Sequence, residues 1–149
     1  TSRTLASENF AKLTSRFGAE VKILVQACPG LVEQVEAGDL SGNKTRALLE
    51  QYLLPLLQQQ ADTIVLGCTH YPFLTALIQE IAGSQTTIID PAAAVARELR
   101  RRLVSTGLLS EKVKAGTEKF WTSGSPELAR LVMGQLWRRD VKVEGLPNS

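Results

Sequence analysis

The sequence has 149 residues, 44% hydrophobic and 21% charged, with 17 Lys and Arg against 15 Asp and Glu for a formal net charge of +2. That is the balance of a soluble globular protein of one mid-sized domain or two small lobes, with enough chain to bury a sizeable core. So small a charge, with no long basic run, excludes an electrostatic case for nucleic acid, and no apolar stretch nears the roughly 18 residues of a membrane span.

The first residues do not read as a signal peptide, and two distant cysteines make neither a disulfide framework nor a zinc spacing. A reduced, cytoplasmic protein with no membrane or nucleic-acid partner is the expectation. The sole methionine is Met133, and the chain opens at Thr1 on the lead-in to a helix.

The predicted elements alternate. "SENFAKLTSRFG" reads as a helix capped by Ser7 and stopped by Gly18. "VKILV" (21–25) reads as a short strand, and "CPGLVEQVEAG" as a short helix with proline near its first turn and Gly38 closing it. A long helix over about 44–59 contains Pro55, which predicts a kink or an early stop. "TIVLG" is a continuous, β-branched apolar run, the pattern of a buried parallel strand, and a helix follows over about 72–82, ended by Gly83.

"TTIID" is a further strand, and Asp90-Pro91 then opens a helix that Gly107 ends. "EKFWTSG" reads as a strand, "SPELARLVMGQLWRRD" as an amphipathic helix started by Ser125 and Pro126, and "VKVEG" as the last strand. The order predicts an α/β fold, parallel sheet with helices on both faces, whose ligands sit beyond the carboxyl ends of the strands.

Gly67-Cys68-Thr69-His70 falls at such an end, between strand and helix, and uses one of two cysteines and the only histidine. Helix N–H groups there favour a thiolate or a bound anion and can lower a thiol from its usual pKa of about 8.5. Gly67 would let the backbone turn and a ligand approach. Thr69 offers a hydroxyl and an N–H to a carboxylate, and His70, with a reference pKa of about 6.5, can hold or relay a proton. The ordinary alternative is a small buried cysteine beside a structural histidine.

"VLGCTHYPFL" closely resembles the second-cysteine signature of the aspartate/glutamate racemase family. The "T-x-x-T-x-x-S-x-x-F" run from Thr1 to Phe10 is similar to that family's threonine-rich segment, with Phe10 in place of the usual tyrosine. "CPGLVEQVEAG" resembles its Cys-Pro helix, and "IIDPAAAVARELRRRL" the segment returning to its first lobe, with Pro91 where serine is common. The likeness runs from Thr1 to about Arg102 and is most specific at 67–74.

The resemblance implies a cofactor-independent, metal-free inversion of the glutamate α-carbon, L to D, supplying D-glutamate for peptidoglycan. Two cysteines, one from each lobe, would act as base and acid on opposite faces. Cys68 would be the second of them, His70 would support its proton, and Glu36 would match an assisting acid. Thr69 would bind substrate, and Thr1 and Thr4 would line the pocket. Glu36 has the alternative of an ordinary solvated carboxylate, and Thr4 and Ser7 that of helix caps.

The resemblance further implies that residues 1–89 are most of the second lobe and 90–149 a return segment of the first. The family's first cysteine, in an Asn-Thr context, has no counterpart here, and Cys28 in its Cys-Pro turn reads as structural. The expectation is therefore the rear portion of a longer enzyme, inactive alone, whose partner is the missing N-terminal half. Exposed apolar surface is expected on the helices at 91–106 and 126–138. Aspartate as substrate, a one-cysteine decarboxylase relative and a silent carboxylate- or protein-binding domain stay open, and the family's variable oligomeric state allows a homodimer.

Overall fold

A computed structural model describes residues 7–18, 21–110 and 116–147. The fold is mixed helix and parallel strand, and it divides into two compact units. One comprises Thr1–Val35 with Asp39–Pro91, the other Glu36–Gly38 with Ala92–Ser149.

In the first unit, α1 (Glu8–Phe17) begins where Ser7 Oγ accepts from the Phe10 N–H at 3.2 Å and ends at Gly18. Residues 21–25 do not form the expected strand: no ladder among the described residues includes them. β-Propensity needs a neighbouring strand to supply rungs, and Val21, Ile23 and Val25 instead remain exposed. α2 (Leu31–Glu36) follows Gly30, whose φ of +89° is why Pro29 lies before the helix and not in its first turn.

α3 (Asn43–Gln58) buries Thr45, Leu49, Tyr52 and Leu53, one stripe at helical spacing. Pro55 does not stop it early. Proline removes one backbone donor, and so close to the carboxyl end the helix runs on to Gln58 regardless.

β1 (Thr63–Val65) pairs in parallel with β2 (Thr87–Ile89), Ile64 opposite Ile88 and Val65 opposite Ile89. Between them, a 3₁₀ turn (Tyr71–Leu74) leads into α4 (Thr75–Ala82), which packs on α3 and stops at Gly83 with φ +80°. β1 is not buried on both faces as its apolar run suggested. Ile64 and Leu66 are buried, whereas Val65 and Ile89, which share the other face, are exposed. The core of this unit lies among α2, α3, α4 and the inner face of β1, with Leu31, Leu49 and Leu74 almost fully enclosed.

The second unit holds α5 (Ala92–Ser105) and a β-α-β crossover of β3 (Phe120–Thr122), α6 (Pro126–Trp137) and β4 (Val143–Gly145). β3 and β4 are parallel, as a helical connection permits. Ser125 caps α6 by accepting from the Leu128 N–H at 3.3 Å. Phe120 meets Trp137 edge to face at 5.7 Å, and Arg130 forks onto Asp140 with two bonds of 3.0 Å. The expected exposed apolar surface is present: α5 and α6 bury none of their residues, and Val95, Leu99, Leu128 and Leu131 are each more than half exposed.

Leu49 is 2% exposed, so Leu49→Ala should cost about 2–5 kcal/mol through lost transfer energy and a residual cavity. Leu131→Ala, on an exposed face, should stay within about 0.5 kcal/mol. Urea unfolding of the two variants checks this, and equal losses would contradict the placement of the core.

Candidate active site

The last rung of the β1–β2 ladder is the bond from the Leu66 N–H to the Ile89 carbonyl, at 3.0 Å. The chain then leaves the sheet through Gly67 and turns. The Tyr71 N–H donates to the Cys68 carbonyl at 3.2 Å and the Phe73 N–H to the His70 carbonyl at 3.2 Å. Cys68 therefore sits beyond the carboxyl end of a parallel strand, as expected. It does not sit at the start of the helix proper, because the 3₁₀ turn intervenes and α4 begins only at Thr75. A four-residue turn aligns few peptide dipoles, so the chemistry here rests on side chains more than on a macrodipole.

The turn brings together three of the side chains singled out in the sequence. Cys68 Sγ lies 3.9 Å from His70 Nδ1, and Thr69 Oγ1 lies 3.3 Å from the same nitrogen. Cys68 and His70 are half-buried and Thr69 is exposed. Such a group can hold a proton between thiol and imidazole, with the Thr69 hydroxyl in contact with the same ring nitrogen and exposed toward a ligand. Gly67 has no left-handed φ. Its backbone therefore does not demand glycine, and an added Cβ would meet nothing within 4 Å. The bare backbone leaves the approach beside Cys68 open.

Glu36 is the last residue of α2, exposed, and belongs to the second compact unit. Thr1 and Thr4 lie outside the described residues. Among the described residues no group of three or more His, Cys, Asp and Glu side chains is placed to hold a metal ion. A shallow hollow in the second unit is bordered by Arg130, Leu131, Gly134, Arg139 and Asp140. Its charges are paired, Arg130 with Asp140 and Arg139 with Glu118.

Sequence reasoning left the Cys28 segment apart from this turn, and the structure joins them. The Tyr71 phenol donates to the Cys28 carbonyl at 3.3 Å, and the Cys28 thiol donates to the Gln26 carbonyl at 3.7 Å. Burial pushes the Cys28 thiol up, a hydrogen bond from Tyr71 opposes this, and the proximity of Cys68 adds to it. Burial likewise raises the Tyr71 phenol, followed by the nearby cysteines. A tyrosine next to the motif was the available signal, but nothing in the sequence said where its hydroxyl would go.

Residues 1–99 match the family model described as Asp/Glu/Hydantoin racemase. The chain belongs to this racemase family. It is 48% identical over 147 residues to a glutamate racemase of Methylococcus capsulatus, covering 99% of this chain and 54% of that protein. It is 49% identical over 137 residues to one of Pseudomonas aeruginosa, covering 92% and 51%. Among solved structures, a glutamate racemase isoform from Bacillus anthracis superposes with a TM-score of 0.81 at 29% identity, over 97% of this chain and 54% of that one. The chain thus spans about half the length of the racemases it matches. No helix among the described residues is long and apolar enough to cross a membrane.

With its thiol raised by burial, Cys28 should alkylate with a pH midpoint above the usual thiol value of about 8.5. Iodoacetamide labelling across pH, with the modified peptides resolved by mass spectrometry, reads this directly. A midpoint at or below about 8.5 would mean an open, unburied thiol.

Proposed function

We propose that the protein carries one half of a cofactor-independent glutamate racemase, interconverting L- and D-glutamate, and that Cys68 is one of its two acid/base groups. The observation that carries the reading is the Cys68–His70 pair at 3.9 Å on an open turn beyond a parallel strand, in a chain nearly half identical to glutamate racemases.

The α-proton of an amino acid is very weakly acidic, so a base must take it on one face while an acid delivers another on the opposite face. In one direction Cys68, as thiolate, removes the proton from Cα. In the other, as thiol, it gives one back. His70 holds or relays the Cys68 proton. Thr69 binds a polar group of the substrate, Glu36 assists the same side, and Thr1 and Thr4 line the pocket.

The second base comes from a polypeptide corresponding to the other half of the relatives. Residues 1–89 would form the lobe bearing Cys68, and 90–149 would return to that partner lobe. The exposed apolar residues of α5 and α6 support a partner there. The place of action is the cytoplasm, where D-glutamate feeds peptidoglycan and with it wall growth and cell shape.

The test uses the complete polypeptide in heavy water. L-Glutamate should acquire deuterium at Cα, and Cys68→Ser should lower kcat by about 10²–10⁴-fold, the span of a lost acid/base group. Glu36→Gln should lower it less. Exchange on aspartate alone would reassign the substrate, and decarboxylation of a malonate without exchange would favour the one-cysteine chemistry. Unchanged turnover in Cys68→Ser would remove Cys68 from the mechanism.

A further inference from the structure

Two tyrosine phenols reach consecutive backbone carbonyls from different elements. Tyr52, on the buried stripe of α3, donates to the Pro29 carbonyl at 2.8 Å. Tyr71, the first residue of the 3₁₀ turn, donates to the Cys28 carbonyl at 3.3 Å. The two bonds differ in kind. Tyr52 is 8% exposed and its bond has ordinary O–H···O length, so it fastens the Cys28–Pro29 segment to the core. Tyr71 is half-buried with a longer bond, and its own N–H closes the turn on the Cys68 carbonyl at 3.2 Å. One residue thereby holds the backbone of both cysteine-bearing segments, by its side chain on one and its main chain on the other.

That placement matters because the Sγ to Nδ1 separation of Cys68 and His70 is set within the turn that Tyr71 closes. Proton transfer requires hydrogen-bond reach, and a displacement of about 1 Å can cost on the order of a hundredfold in rate. We propose that Tyr71 is a positioning residue for the Cys68–His70 pair, its phenol transferring the fixed position of the Cys28–Pro29 segment to the turn that carries the thiol. This deepens the racemase reading and rests on it. A phenol is already protonated at neutral pH, and burial pushes its pKa further up, so it remains a donor there and takes no part in the proton exchange itself.

The experiment compares Tyr71→Phe with Tyr52→Phe in the complete polypeptide; each variant removes one oxygen and keeps the ring. Tyr71→Phe should lower kcat for L-glutamate about tenfold with KM within about twofold. It should also change the iodoacetamide reaction rate of Cys68 at fixed pH by about threefold or more, with little change in the thermal midpoint. Tyr52→Phe should lower the thermal midpoint by several degrees while kcat stays within about twofold. Wild-type kcat and wild-type Cys68 labelling in Tyr71→Phe would overturn the proposal. So would a Tyr52→Phe variant showing the same losses, since both bonds would then be merely structural. If the wild-type polypeptide exchanges no glutamate α-proton, the racemase reading fails, and the labelling contrast still decides whether Tyr71 positions the thiol.

Discussion

The parallel ladder between β1 and β2 determines where the chain leaves the sheet, and the chemistry of the first unit depends on that exit. Its last rung, from the Leu66 N–H to the Ile89 carbonyl, lies two residues before Cys68. Ile64 and Leu66 are buried on one side of the strand, and a slip of one residue would turn both outward. The register is thus secured by burial, and the register in turn sets Gly67 at the sheet edge and Cys68 just beyond it.

Beyond that edge the core gives way to hydrogen bonds of the turn. These are individually modest, yet they connect a rigid body to three chemically useful side chains. Tyr52 and Tyr71 extend the rigidity sideways, holding the Cys28–Pro29 segment from α3 and from the turn. The second unit is built differently. Its charged side chains pair at the surface, with Glu98 drawn down to about 2 by hydrogen bonds from Arg101 and Arg102. Surface pairs of this sort do little for stability. The edge-to-face contact of Phe120 with Trp137 and the buried Val141 hold the β-α-β crossover together.

Much of this was legible because it is local. Ser7 and Ser125 cap helices as short polar side chains before an apolar periodicity do. Gly38, Gly83 and Gly107 adopt left-handed φ where helices end. The Gly-Cys-Thr-His cluster announced itself by composition and by its place after an apolar run. The failures are non-local. Residues 21–25 have strand composition but no ladder, and Pro55 lies so near the carboxyl end of its helix that the helix runs on past it. The apolar run before Gly67 suggested burial on both faces, whereas Val65 is exposed. Periodicity reports what a segment can bury, and the neighbours present decide what it does bury.

By itself, then, the sequence determined the alternation of strands and helices, their capped ends, and the side chains offered at the turn after β1. Caps, turns and periodicity act over a few residues and are written in the chain. Tertiary structure alone decided that Val65 would stay exposed, that residues 21–25 would find no neighbouring strand among the described residues, and that Tyr71 would reach the Cys28 carbonyl. The last of these joins residues 43 positions apart, and distance in space between such residues is set by packing, which no local pattern encodes.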